Sequence, residues 1–280
     1  MTKLFWIDGQ IVSESSAFIS CQDLGLTRGY GVFDFLRTYE KAPFYLKEHL
    51  DRFFYSAKEI DLIPPLTRDQ IEKAIDDLIH THPHENLGIK LFLTGGESID
   101  GFFTTHSPSF WIMAFPLSIN PLLTVKLKTI EASRELPTIK SLNYLQSSLF
   151  AKRYKSLGFD DIIYQNKEGY LTESSTSNLF FIKNGTLITA EKEILFGITR
   201  QVVLQIASAY LPIENRPLHL SELDQVDECF ITSTTKEICP VIRINDTLFN
   251  TQENSWISIL KAAFSSHQKE HVRTLLSLKS

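Results

Sequence analysis

Hydrophobic and polar positions change rhythm repeatedly along this chain, and the changes mark its elements. In "LFWIDGQIVS" (4–13) two β-rich runs meet at Asp8-Gly9, the signature of a tight hairpin. "VFDFLRTYEKAPFYL" (32–46) predicts a second hairpin that turns around Lys41 to Pro43. In "KEHLDRFFYSAKEIDL" the apolar residues Leu50, Phe53, Ala57 and Ile60 recur at helical spacing. "TRDQIEKAIDDLIHTH" predicts another helix, with Thr67 as its cap. "IKLFLTG" and "FWIMAFPL" read as strands, so the N-terminal region is α+β.

At "PLSINPLL" (116–123) two prolines interrupt the pattern, and this stretch reads as a linker. Beyond it, short strands ("VKLKTIEA", "DDIIYQN", "NLFFIKN", "TLIT", "ECFITST", "PVIRIN") alternate with helices near 143–157 and 199–211. A last helix covers "NSWISILKAAFSSHQKEHVRTLL". The expected division is a domain over 1–116, a linker over 117–123 and a second domain over 124–280.

Charge narrows the partners. The 33 acids exceed the 28 bases, and no block of lysine and arginine offers a footprint for a phosphate backbone, so nucleic acid is not expected to bind. No run of about 18 apolar residues occurs and the N-terminus lacks a leader's apolar core, which predicts a cytoplasmic protein with no membrane partner. Cys21, Cys229 and Cys239 lack CxxC spacing, arguing for free core thiols rather than disulfides or zinc. His80, His82 and His84 alternate in "HTHPHEN", but Pro83 and polar neighbours make this a solvated loop, and no metal is expected. "LTGGES" lacks the lysine of a phosphate loop, although its glycines would let backbone approach a ligand closely. A GxSxG elbow is absent.

Four other places carry chemistry. In "ELPTIKSLNYLQSSLF" (135–150) Lys140 precedes a helix whose dipole disfavours a cation near its N-terminus. Burial there would lower its pKa and make the neutral amine available for a Schiff base. Glu173 stands in "YLTESSTSNLFF". Gly197, Ile198 and Thr199 of "ILFGITRQVVLQIA" open a helix and offer N–H groups and a hydroxyl to an anion. Ser233, Thr234 and Thr235 follow a strand in "FITSTTKEICPV". Taken singly, each has an ordinary structural reading. Together, one amine, one carboxylate and two hydroxyl-rich anion sites form the inventory that pyridoxal 5′-phosphate requires.

At these residues the sequence closely resembles the class IV aminotransferases, the fold-type IV pyridoxal-phosphate enzymes. These include branched-chain and D-amino acid aminotransferases and aminodeoxychorismate lyases. "GYGVFDFLRTY" resembles the family's active-site strand, "EHLDRF" the helix whose arginine binds the cofactor phosphate, and "IKSLNYL" the Schiff-base motif. "LTESSTSNLF", "GITR" and "TSTTKEICPV" resemble the remaining cofactor-binding segments. The resemblance implies a small N-terminal α/β domain and a larger C-terminal domain with a barrel-like sheet, assembled as a homodimer. It implies Lys140 as catalytic residue, Arg52, Ile198, Thr199, Ser233, Thr234 and Thr235 around the phosphate, and Glu173 at the pyridine nitrogen.

The implied reaction moves an amino group between an amino acid (branched-chain, aromatic or D) and a 2-oxo acid. Aminodeoxychorismate lyase, giving 4-aminobenzoate and pyruvate, is the alternative reading, and a catalytically idle cofactor-binding protein is a third. The loop "LTGGESIDGFFTT" lacks the arginine and histidine that trap a substrate carboxylate in D-amino acid aminotransferases, and the arginine of the lyases. Tyr30, Phe33, Phe35, Arg37 and Tyr144 are substrate-pocket candidates. Arg37 alternates with Phe33 and Phe35 along a strand; it binds a carboxylate or pairs with an acid of the fold.

Overall fold

The structure, a computed structural model, describes residues 3–103, 107–120, 124–249 and 255–279, with backbone alone for 278–279. Residues 121–123 of the expected linker and 104–105 of the loop "LTGGESIDGFFTT" lie outside these. The chain divides into two units. The first comprises Met1–Ser118, Ile139–Asn143 and His271–Ser280; the second comprises Ile119–Thr138 and Tyr144–Glu270. Two short segments expected in the second domain, 139–143 and 271–280, therefore go with the first.

The first unit runs β1 (Leu4–Ile7), β2 (Gln10–Ser13), α1 (Leu24–Arg28), β3 (Gly31–Tyr39), β4 (Ala42–Pro43), α2 (Leu46–Lys58), α3 (Arg68–Thr81), β5 (Leu87–Thr94) and β6 (Ser109–Pro116). Its strands form one antiparallel sheet in the order β2-β1-β6-β5-β3-β4. Both expected hairpins are present, the second turning at Glu40-Lys41 rather than around Lys41 to Pro43, because Ala42 and Pro43 already pair with β3. Asp8 and Gly9 take positive φ, as do Glu40 and Lys41, the conformation of a two-residue turn matched to strand twist. α3 begins with a reciprocal capping box between Thr67 and Gln70. Leu50, Phe53 and Ala57 of α2 join Ile71, Ile75, Leu78 and Ile79 of α3 over Val32, Leu36, Ile89, Leu91 and Ile112, all essentially excluded from water.

The fold itself requires the glycines of "LTGGES": a Cβ on Gly96 (φ +71°) would sit 2.1 Å from the Ser107 carbonyl oxygen, and one on Gly95 would sit 2.7 Å from the Tyr30 ring. One expectation is corrected here. The histidine run is not a solvated loop throughout. His80 lies in α3, and His82 is fully buried with its N–H on Leu78.

The second unit contains β7 (Val125–Glu131), α4 (Leu145–Lys155), β8 (Asp161–Gln165), β9 (Tyr170–Ser174), β10 (Asn178–Lys183), β11 (Thr186–Thr189), α5 (Ile198–Ala207), β12 (Ile213–Asn215), β13 (Leu218–His219), β14 (Glu228–Ser233), β15 (Glu237–Ile244) and β16 (Thr247–Leu248). α6 (Trp256–Lys279) begins here and ends in the first unit's residues. Pairing along β10-β14-β15-β7-β8-β9 returns to β10 through Asn178 and Glu173, closing a barrel-like ring of six strands. Leu127, Ile163, Phe181, Ile231, Val241 and Ile244 are among the residues of its core. Cys229 and Cys239 are buried free thiols, whereas Cys21 is exposed and not a core thiol. No described helix is long and apolar enough to cross a membrane.

Candidate active site

The lysine segment is built as an addition to β3. Ser141 bridges antiparallel to Val32; the Phe33 N–H donates to the Lys140 carbonyl at 2.9 Å, and the Leu142 N–H to the Gly31 carbonyl at 3.0 Å. Gly31 makes this approach possible, because a Cβ there would lie 2.8 Å from Leu142 Cδ1 and 2.6 Å from the Leu93 carbonyl oxygen. Lys140 Nζ stands 4.5 Å from the centre of the Phe33 ring, within reach of its π face. α4 starts only at Leu145, so Lys140 lies beyond the turn in which a helix dipole acts; the expected conflict with that dipole is not what shapes its surroundings.

α2 presents three polar residues at helical spacing, His49, Arg52 and Ser56, beside its apolar stripe. His49 and Arg52 meet Asp34, a carboxylate at a core-facing position of β3 that is fully buried. Arg52 donates to it twice, Nε to Oδ2 at 2.8 Å and Nη2 to Oδ1 at 2.9 Å, and His49 Nδ1 lies 2.7 Å from Oδ1. Burial pushes the Asp34 carboxyl up, but Arg52 and His49 outweigh it and hold it well below the usual carboxylate range. Burial also lowers the His49 pKa, against the raising influence of Asp34; Arg52 and Lys140 act in the same direction as burial. Since an ionised carboxylate only accepts, neutral His49 carries its proton on Nδ1. Asp34, His49 and Ser56 escaped the sequence reading; the i, i+3, i+7 spacing of polar residues on a buried helix face was the available signal.

The other first-unit candidates differ in their commitments. The Tyr30 hydroxyl donates to the Ile60 carbonyl and its ring packs on the core, so it contributes to the fold. Arg37 is 5% exposed, with its guanidinium 4.0 Å over the Tyr39 ring. Phe33 and Phe35 lie half-buried on the opposite face of β3 from Asp34. They stack with Phe92 and Phe115, and Phe92 with Trp111, at ring separations of 6.1, 5.9 and 5.1 Å. Lys90 lies over Phe35 and Phe115, and burial lowers its pKa. In the loop "LTGGESIDGFFTT" Asp100 accepts from the N–H groups of Phe102 and Phe103 and from the Ser98 hydroxyl, a compact turn that leaves Ile99, Phe102 and Phe103 exposed.

In the second unit Glu173 is 2% exposed at the end of β9. Arg134 Nη1 donates to its Oε1 at 2.8 Å, and the Leu195 N–H to its Oε2 at 3.0 Å. Burial lowers the Arg134 pKa, but Glu173 and the neighbouring tyrosines raise it further. The same guanidinium lies 5.5 Å from the centre of the Tyr144 ring, at the start of α4. Arg134, another residue the sequence reading missed, sits in an irregular stretch with no pattern to mark it.

α5 opens at Gly197, which provides no side-chain cap, so the first N–H groups of the helix are not taken by one. Gly197 is required, since a Cβ would lie 2.1 Å from Asn178 Oδ1. Ile198 and Thr199 follow, both buried. Ser233 Oγ and Thr235 Oγ1 lie 3.3 Å apart at the tight turn after β14, with Thr234 between them. Lys140, Arg52, Tyr30, Phe33, Phe35 and Arg37 thus belong to the first unit, and Glu173, Tyr144, Ile198, Thr199 and Ser233–Thr235 to the second.

A family model, amino-transferase class IV, matches residues 31–244. The chain belongs to the class IV aminotransferase family and is an enzyme of that family. It is 33% identical over 261 residues to a putative branched-chain-amino-acid aminotransferase of Methanocaldococcus jannaschii, covering 89% of this chain and 90% of that one. To a D-alanine aminotransferase of Staphylococcus haemolyticus it is 31% identical over 255 residues, covering 88% and 90%. Among solved structures it resembles the branched-chain aminotransferase of Thermoproteus uzoniensis determined with norvaline: TM-score 0.85, 27% identity, 99% of this chain and 96% of the other. The match extends across both units.

Proposed function

We propose that this enzyme is a pyridoxal 5′-phosphate-dependent aminotransferase that acts on an amino acid with an apolar or aromatic side chain. The observation that carries the reading is the lysine-bearing segment: its pairing to β3 holds the Lys140 backbone in a fixed register. The donor set fits the cofactor. The uncapped N-terminus of α5 suits a phosphate. Glu173, held by Arg134, is a buried carboxylate suited to a protonated ring nitrogen.

Lys140 Nζ would hold the cofactor covalently and carry protons between substrate positions. Arg52, the N–H groups of Ile198 and Thr199, the Thr199 hydroxyl, and Thr234 with Ser233 and Thr235 would hold the phosphate. When bound, the group supplies an electron sink for carbanion chemistry. Phe33, Phe35 and their stacked neighbours offer an apolar surface, which supports an apolar substrate. The exposed Ile99, Phe102 and Phe103 support a homodimer that covers them.

The test is direct. Purified enzyme reduced with borohydride should carry a cofactor adduct on Lys140 by peptide mass spectrometry, and should sediment as a dimer. Assayed against L- and D-amino acids with 2-oxoglutarate or pyruvate, it should form 2-oxo acids from apolar donors. Release of pyruvate and 4-aminobenzoate from aminodeoxychorismate without any acceptor would assign the lyase reaction instead. Absence of an adduct on Lys140 would overturn both.

A further inference from the structure

We infer that Ser56 is a positioning residue for Lys140, fixing the lysine from the helix side while β3 fixes it from the sheet side. The Lys140 N–H lies 3.2 Å from Ser56 Oγ and donates to it. Ser56 is fully buried, on the face of α2 that also carries His49 and Arg52, two turns and one turn earlier.

β3 and α2 hold different parts of the segment. The backbone bonds from Phe33 to Lys140 and from Leu142 to Gly31 set its register and its distance from the sheet. They use the Lys140 carbonyl and leave the Lys140 N–H to be met from another direction. The Ser56 hydroxyl meets it, which fixes the rotation of the peptide plane before Lys140 and with it the direction in which Cα–Cβ leaves the backbone. A long, flexible lysine gains most from such a constraint, since each fixed torsion near the backbone narrows where Nζ can go. α2 is itself clamped to β3 by the bonds of Asp34 to Arg52 and His49, so the Ser56 hydroxyl has a stable origin. One helix thereby ties together the amine and the arginine that the proposed function assigns to cofactor and phosphate.

The inference rests on that proposed function for its catalytic meaning, but the tether itself is testable apart from it. Amide hydrogen exchange, resolved by NMR, would be compared in wild-type enzyme, Ser56→Ala and Ser56→Thr. In Ser56→Ala the Lys140 amide should exchange about tenfold faster, while those of Phe33 and Leu142 keep their protection. Holoenzyme of the same variant should lose about tenfold in kcat with KM little changed, and the pH midpoint of its visible absorbance should shift. Ser56→Thr, which retains the hydroxyl, should recover most of both.

Equal exchange at Lys140 in all three proteins would overturn the tether. Faster exchange with unaltered kcat and absorbance would overturn the positioning role. Should wild-type enzyme carry no cofactor on Lys140, the proposed function fails, and the exchange contrast still reports on the tether. Ser56→Gly supplies a second hydroxyl-free variant if the alanine protein does not fold.

Discussion

Two buried carboxylate–guanidinium pairs, one in each unit, invite comparison. Asp34 receives Arg52 through two bonds, His49 through a third, and the N–H of Phe35 at 2.7 Å. Glu173 receives Arg134 and the Leu195 N–H, and Arg134 Nη2 is buried with no hydrogen-bond partner among the described residues. In the first cluster both carboxylate oxygens are met from α2, which locks a helix to a strand. In the second, a buried donor lacks a partner, a cost that structure alone does not explain and that a ligand-binding site tolerates. The first pair thus clamps helix to strand whatever else Arg52 binds, whereas the second leaves a buried donor of Arg134 beside the carboxylate.

The sharpest way to break that distinction is to remove each carboxylate. Asp34→Ala would leave Arg52 and His49 buried without their anion, and should cost about 3–5 kcal/mol in chemical unfolding of the first unit. A loss well under 1 kcal/mol would show that the cluster is no clamp. Glu173→Gln keeps the size but removes the charge and replaces one of the two accepting oxygens with a donor. It should leave the cofactor bound and slow transamination by about a hundredfold or more, with a smaller stability loss than Asp34→Ala. Unchanged turnover would place Glu173 among the structural pairs.

The smallest effect concerns acid. The folded-state pKa of Asp34 is depressed, so its stabilisation is complete above the unfolded value of about 3.9 and is lost as pH falls further. His49 is also depressed, so the unfolded chain takes up its proton first, and stability declines as pH drops below about 6.5. Both act in one direction: unfolding midpoints should fall from pH 7 to pH 5, and His49→Gln should flatten that slope. A midpoint that rises over this range would refute the assignment of a neutral, buried His49.

Much of this was legible beforehand because it is local. The Asp8-Gly9 hairpin, the Thr67 cap and the helices near 143–157 and 199–211 follow from turn chemistry and periodicity over a few residues. What escaped detection was set by distant partners. Asp23 caps α1 and accepts from the Thr94 hydroxyl at 2.8 Å, 71 residues away, which no local pattern announces. Asp34 lies amid apolar strand positions, and its partners His49 and Arg52 come from a different element, α2. Lys140 was legible as a residue but not in its setting. Pairing of 139–143 with β3 depends on Gly31, more than a hundred residues earlier.

The ring of six strands in the second unit closes at one bridge, Asn178 with Glu173. Asn178 also donates to the Leu195 carbonyl, and its side chain fills the space that makes Gly197 obligatory before α5. The acid assigned to the cofactor ring therefore sits on the seam by which the barrel is completed. The position of that carboxylate is therefore set by pairing between strands as well as by its own side-chain partners.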